Sequence, residues 1–376
     1  MSDALRLPAE RRHQVELAAL AAHDDAPRPT GWHLSPRAVA TFVLGSRGES
    51  LEVPEAAGGG SVVISRKFFG HDDLVLRAVV SLASDRALLL VGEPGTAKSW
   101  LSEHLAAAIS GTSLLTIQGS AGITEDQIKY GWNYALLLAE GPSPKALVPA
   151  PLYTGMKSGR IVRFEEITRA PHEVQDTLLS ALSEKLITVP ELAGDDGVVM
   201  ARPGFNVVAT ANTRDRGVND MSAALKRRFN FETVPPLDDL QEEARVVRER
   251  VSSLLAHTPA DQIRFDDDVL DLLVTTFHEV RSGETTDGVA LERPSAVLST
   301  AEAVSVGVNA ALHAAFFGEG RVQPAHLVQH LAGTAAKERG DDLKVLRSYF
   351  EVAAKGRAKR ELGAWKAYYA ARRHLD

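Results

Sequence analysis

Eight consecutive residues constrain this chain more than any others: Gly92, Glu93, Pro94, Gly95, Thr96, Ala97, Lys98 and Ser99, directly after the apolar run ALLLV. A glycine-rich turn between a buried strand and a helix start lets successive backbone N–H groups and the helix N-terminus surround phosphates. In such a loop the lysine reaches the β- and γ-oxygens and the hydroxyl after it binds Mg²⁺. The glycine usual before the lysine is Ala97 here. Alanine is the best helix former, so the reading requires that residue 97 be already helical. The eight residues form a candidate phosphate-binding loop, and a strand-loop-helix of this kind belongs in an α/β fold.

The flanking pattern agrees. From about Val62 to Pro236 short apolar runs at 87–91, 114–117, 161–164 and 205–210 alternate with amphipathic stretches, and a further strand is expected at 230–234. That alternation predicts a parallel sheet with helices on both faces. Residues 1–60 read as an N-terminal helical extension to about Leu44, followed by a loop or linker over Gly45–Gly60 (GSRGESLEVPEAAGGG). The α/β core then spans 61–236, a helical domain 237–340 and a basic helical tail 341–376. Asp266 is the expected N-cap of a helix carrying Val269, Leu270, Leu273, Phe277 and Val280, while Pro294 and Pro324 are expected to open two more.

Composition narrows the chemistry. The chain has no cysteine, which removes disulfides, thiolate metal sites and thiol nucleophiles. Its 42 Lys and Arg against 49 Asp and Glu give a net charge of −7, so no overall basic field favours nucleic acid or a membrane surface. No apolar stretch is long enough to span a bilayer, and Pro8, Glu10, Arg11 and Arg12 interrupt any signal-peptide core. A cytoplasmic protein without a membrane partner is the expectation.

Three further motifs follow the loop. Ile161-Val162-Arg163-Phe164-Glu165-Glu166 ends a strand in two carboxylates. Beside a phosphate loop the first, Glu165, would hold Mg²⁺ through its water shell, and the second, Glu166, would orient the attacking water. Aspartate is usual at the first position, and Glu165 is one methylene longer. Alone, a Glu-Glu pair reads as solvated surface. Val207 to Thr213 places Asn212 at another strand end, beside a γ-phosphate or simply in a turn. Ala224-Leu225-Lys226-Arg227-Arg228-Phe229 is a short helix with paired arginines, available to a neighbouring subunit's nucleotide, or exposed, or paired with Glu232.

In this order and spacing the motifs resemble those of MoxR-type AAA+ ATPases. The segment EEITRAPHEVQDTLLSALSEKLITVP is similar to that family's stretch from Walker B through a helix into a hairpin, and Gln118 to Met156 resembles its helix-2 insert. The likeness covers roughly Lys67 to Pro236, and length and the N-terminal extension resemble the YehL-like branch. The resemblance implies an AAA+ P-loop core followed by a helical lid, with ATP and Mg²⁺ as ligands. It implies Walker A at Gly92–Ser99, Walker B at Glu165 and Glu166, sensor 1 at Asn212 and an arginine finger at Arg228, with Arg227 in reserve. It also implies adenine contacts at Phe69 and Gly70, a sensor 2 arginine at Arg293, and possible contact of Arg169 with the next subunit. A homo-oligomeric ring, by habit of the family a hexamer, would hydrolyse ATP to remodel a client or adaptor protein, often one with a von Willebrand factor A domain, in a chaperone-like way.

Two other classes remain. A nucleic-acid motor would use the tail, where Lys355, Arg357, Lys359, Arg360, Lys366, Arg372 and Arg373 interleave with Trp365, Tyr368 and Tyr369. Against it, the expected hairpin Leu186–Ala201 has no Lys or Arg and carries Glu191, Asp195 and Asp196. The competing view of the tail is an amphipathic helix that docks its aromatics on the helical domain. A nucleotide-gated scaffold with little turnover is the third class, favoured only by Glu165.

Overall fold

The computed structural model describes residues 6–213, 219–256, 258–294, 298–335, 340–360 and 363–375. The chain divides into two compact units, residues 1–92 with 97–234, and residues 93–96 with 235–376.

The first unit begins with helices α1 (Ala9–Arg12), α2 (Gln14–His23) and α3 (Pro36–Leu44). The stretch expected to be a loop is instead a two-stranded antiparallel ladder, β1 (Ser50–Glu52) with β2 (Ser61–Val63), in which Leu51 faces Val62. Both residues pack on the core formed by α3 and the helices that follow, and that burial overrides the glycine-rich composition. Next come α4 (Asp72–Ala83), β3 (Ala87–Gly92), α5 (Lys98–Ser110) and β4 (Thr116–Gln118). An insertion follows in which β5 (Tyr130–Trp132) and β6 (Leu147–Pro149) form a hairpin around α6 (Tyr134–Glu140), and α7 (Pro151–Ser158) leads back to the sheet. The remaining elements of the unit are β7 (Ile161–Glu165), α8 (His172–Asp176), α9 (Leu178–Ser183), the hairpin β8 (Leu186–Thr188) with β9 (Val198–Met200), β10 (Asn206–Asn212), α10 (Ala223–Lys226) and β11 (Phe229–Val234).

The main sheet is parallel with strand order β11-β3-β10-β7-β4. Leu88 and Leu90 of β3 join one apolar cluster and Ala87 and Leu89 another, so the strand is covered on both faces. That is why its sequence is an uninterrupted apolar run rather than an alternating one.

The N-terminal helices are tied to the sheet unit by charge as well as by burial. Glu16 on α2 pairs with the buried ammonium of Lys67 and accepts from Ser65 Oγ at 2.7 Å. Arg12 donates to Glu103 on α5 at 2.7 Å, and its guanidinium lies over the Trp100 ring, 4.4 Å from the centroid. Trp100 Nε1 in turn donates to the Lys67 carbonyl at 2.9 Å.

The second unit is helical: α11 (Leu240–Leu255), α12 (Asp267–Ser282), α13 (Thr300–Phe317), α14 (Pro324–Ala335), α15 (Gly340–Tyr349), α16 (Lys355–Arg360) and α17 (Ala364–Ala370). Asp266 is the N-cap residue of α12 and Pro324 opens α14, as the sequence predicts. Pro294 does not open α13. That helix starts at Thr300 behind a capping box, in which the Ser299 side chain accepts from the Glu302 N–H and the Glu302 side chain accepts from the Ser299 N–H. The reciprocal pair satisfies two N-terminal donors, whereas proline only removes one.

The basic tail belongs to this helical core. Tyr368 is fully buried with its hydroxyl 3.0 Å from Thr276 Oγ1. Arg357 forms a buried fork onto Glu279, donating Nη1 to Oε2 at 2.8 Å, and its guanidinium lies 4.6 Å from the Trp365 ring centroid. Among the described residues no helix is long and apolar enough to cross a membrane.

Candidate functional site

The central strand β3 ends at Gly92 and α5 begins at Lys98, so the loop sits where a parallel strand feeds a helix. Ala97 is not helical. It is the N-cap of α5 in the left-handed region, at φ 64° and ψ 21°. There a β-carbon crowds the following carbonyl, at roughly 1–2 kcal/mol relative to glycine. Position 97 therefore holds strain that the more common glycine would not. Thr96 Oγ1 donates to the Glu93 carbonyl at 2.9 Å, and buried Lys98 donates Nζ to the Gly92 carbonyl at 3.0 Å.

Ser99, one residue into α5, donates Oγ to Glu165 Oε2 at 2.6 Å. Glu165 ends β7, is buried, and accepts from three further groups: Thr210 Oγ1 on Oε2 at 2.8 Å, and on Oε1 Ser102 Oγ at 2.6 Å and Arg163 Nη2 at 2.7 Å. Burial alone would raise its pKa. The Arg163 charge and the hydroxyls of Ser102, Ser99 and Thr210 outweigh burial and hold the carboxyl below its ordinary value. An ionised carboxylate beside a serine hydroxyl is a pair of hard oxygen donors, and this donor set fits Mg²⁺.

Glu166 follows in the left-handed region at φ 55°. Its N–H donates to Thr210 Oγ1 at 2.9 Å, and its Oε2 meets Arg169 Nη1 at 3.1 Å and Gln118 Nε2 at 3.2 Å. Strained backbone of this kind persists only where the surroundings over-determine it. Part of that enforcement is visible at Gly119, where a β-carbon would lie 2.1 Å from the Glu166 carbonyl oxygen. Asn212 ends β10 in register with Gly92, and the next N–H, of Thr213, donates to the Gly92 carbonyl at 3.1 Å. Three adjacent strands thus deliver Gly92, Asn212, Glu165 and Glu166 to one edge of the sheet, with Lys98 and Ser99 opening the helix above it.

The other candidates lie elsewhere. Phe69 and Gly70 precede α4. Gly70 has φ +99°, and the Arg66 guanidinium lies 5.4 Å from the Phe69 ring centroid. Arg228 is at the opposite end of β3 from the loop, because its carbonyl accepts from the Ala87 N–H at 2.9 Å. Its side chain donates Nε to Ser183 Oγ at 2.8 Å and Nη1 to the Ala224 carbonyl at 3.0 Å. Arg227 is exposed. Glu232 pairs with Arg77 at 2.9 Å rather than with either arginine. Arg293 lies in the helical unit and bonds the Ser282 carbonyl. Arg163, Ser102, Thr210 and Gln118 also join the cluster around Glu165 and Glu166, although the motifs assign none of them a role. A charged or hydroxyl residue inside an otherwise apolar strand was the available signal for Arg163 and Thr210.

Residues 87–229 match the AAA domain (dynein-related subfamily), and residues 241–376 match the YehL-like AAA+ ATPase C-terminal domain. The uncharacterized protein YehL of Escherichia coli (strain K12) is 50% identical over 371 residues, 98% of this chain and 97% of that protein. The chain belongs to the YehL-like AAA+ ATPases. A shorter likeness, 27% over 168 residues, joins it to the uncharacterized protein SH1500 of Staphylococcus haemolyticus (strain JCSC1435), over 44% of this chain and 62% of that one. Among solved structures, NtrX from Brucella abortus in complex with ADP aligns over 82% of this chain and 64% of its own, with 11% identity and a TM-score of 0.47. The AAA domain match over 87–229 takes in the loop after β3 and four strands of the parallel sheet, and it ends at the first residue of the fifth, β11.

Proposed function

We propose that this protein hydrolyses ATP in a homo-oligomeric ring, a hexamer by the family's habit, and uses the cycle to remodel a partner protein. The observation that carries the reading is the 2.6 Å bond from Ser99 to Glu165, which ties the phosphate loop to a strand-end carboxylate with Glu166 next in sequence. The loop N–H groups and Lys98 bind the phosphates, and Ser99 with Glu165 would hold Mg²⁺, which would supply charge neutralisation during phosphoryl transfer. Glu166 accepts a proton from the attacking water, and Asn212 helps to position that water. Phe69 and Gly70 border the purine, and Arg293 keeps its sensor role on the family resemblance.

Arg228 lies at the far end of β3 from its own loop, roughly 17–20 Å away for a strand of this length, and that position supports service as a finger to another chain rather than to its own loop. A finger supplied in trans is typically worth 10³–10⁵ in rate, which couples turnover to assembly. A protein partner is supported by α6, none of whose residues is buried and whose Leu138 is 88% exposed. A von Willebrand factor A-domain adaptor is the partner suggested by the MoxR likeness. A nucleic-acid track is disfavoured by the buried Tyr368 and by the acidic β8–β9 hairpin.

The test is a turnover assay on mixtures. Arg228→Ala and Glu166→Gln should each bind nucleotide and each lose hydrolysis. Mixed rings regain part of it, because an intact loop with Glu166 then faces an intact Arg228. No rescue in demonstrated mixed assemblies removes Arg228 from the role and turns the same assay to Arg227, whose side chain is exposed.

A further inference from the structure

Arg163 has no role in the mechanism above, yet its side chain makes several hydrogen bonds beside the loop. It lies on β7 two residues before Glu165, so both side chains leave the strand on the same face. Only 11% of its side chain is exposed. Nη2 donates to Glu165 Oε1 at 2.7 Å and to the Ser99 carbonyl at 3.2 Å. Nε donates to Ser102 Oγ at 3.1 Å, and Nη1 to the Ser113 carbonyl at 3.1 Å. One rigid fork therefore holds the first turns of α5, the connection between α5 and β4, and the strand-end carboxylate together.

We propose that Arg163 is the positioning residue of the divalent-cation site, fixing Oε1 of Glu165 so that Oε2 stays turned toward Ser99. The need arises from the glutamate. Its extra methylene adds a torsion that aspartate lacks, and each freely rotating torsion must be frozen before two oxygens can serve a metal. Arg163 and Ser102 take Oε1 out of play, and Ser99 and Thr210 define where Oε2 lies. Lysine could not substitute, because a single ammonium cannot hold a carboxylate, a hydroxyl and two carbonyls in one plane. The inference rests on the Mg²⁺-ATP reading of the site and adds to it the residue that makes a glutamate serviceable there.

The experiment measures affinity for a fluorescent, slowly hydrolysed ATP analogue in Mg²⁺ and in EDTA, at pH 8 so that protonation of Glu165 plays no part. The ratio of the two affinities is the metal-linked increment. In Arg163→Met the increment should fall tenfold or more while the affinity in EDTA stays within twofold. Arg163→Lys should lose at least threefold. Arg163→Met combined with Glu165→Asp should recover most of the increment, since the shorter acid needs no holder. An undiminished increment in Arg163→Met, or equal losses in Mg²⁺ and EDTA, overturns the proposal. Should Arg163→Met fail to fold, an undiminished increment in Arg163→Lys overturns it. A wild-type chain with no metal-linked increment defeats the Mg²⁺ reading itself, a result distinct from any behaviour of the variants.

Discussion

Glu165 in the sheet unit and Glu279 in the helical unit are nearly the same local construction. Each is a buried glutamate held by one arginine and several hydroxyls: Arg163, Ser99, Ser102 and Thr210 for the first, Arg357, Thr286 and Tyr349 for the second. Burial pushes both carboxyls up, and the charge and hydrogen bonds of these partners bring both below the ordinary value. Yet of these two only Glu165 lies beside the glycine-rich loop. Around Glu279 the donors come from three segments of the helical unit, and two of them, Tyr349 and Arg357, are buried in its core. Around Glu165 one donor is the hydroxyl that follows the loop lysine, and the next residue is a second carboxylate in strained backbone. A depressed pKa marks a well-paired buried acid, and its neighbours decide whether that acid has work to do.

The comparison can be broken most decisively at the loop. Lys98→Ala should lower ATP-analogue affinity at least a hundredfold and leave the melting temperature nearly unchanged, because the lysine's packing is local. A large melting shift would mean that the loop is structural like the Glu279 cluster. Arg357→Met makes the converse case. Stranding a buried carboxylate costs about 3–5 kcal/mol, so urea unfolding should show a loss of that size. A loss below about 1 kcal/mol would show that Glu279 is neutralised by protonation or water.

Acid sharpens the contrast in a different way. His13 has its pKa lowered from 6.5 to about 4, by burial first and then by the Lys67 charge, and its Nε2 is buried without a partner. Buried His104 shifts in the same direction for the same leading reason. Between these values the unfolded chain binds protons that the folded chain refuses, so stability falls as the pH drops from 6.5 toward 4. The depressed carboxylates Glu165, Glu243 and Glu279 behave otherwise: their contribution is complete above the ordinary carboxylate pKa and is lost only as the pH falls through their lower folded values. The share of His13 alone in this decline should be roughly 2 kcal/mol between pH 6.5 and 4.5, and His13→Gln should remove that share of the slope. An unchanged slope would place the early acid loss elsewhere. The smallest effect is at the loop again. Ala97→Gly should relieve left-handed strain and raise the melting temperature by about 2–4 °C, and a fall would mean that the alanine is needed to stiffen the loop.

Much of this was legible in the chain itself. The glycine-rich turn after β3, the five parallel strands and the N-cap at Asp266 each follow from a local pattern of a few residues. Ala97 misled because loop closure, not helix propensity, sets its conformation. Pro294 misled because the stronger start signal, Ser299 with Glu302, lies further along and uses two bonds where proline uses none. The ladder over 50–63 was hidden because strand pairing there is enforced by burial of Leu51 and Val62. Arg163 announced itself as a charge in an apolar strand, but its bonds to Ser99 and Ser113 span distances in sequence that no local pattern encodes.

The pairing of Glu16 with Lys67 and of Arg12 with Glu103 bears on where this protein can be cut. An expression fragment trimmed to the ATPase core at about residue 61 would keep Lys67 and Glu103 in their buried places and discard the partner of each. It would also bare the Trp100 face of the helix that begins at Lys98, on the turn next to Ser99. The smallest fragment that keeps these buried charges paired is thus longer than the stretch 87–229 that matches the AAA domain, and it reaches back to the helices that carry Arg12 and Glu16.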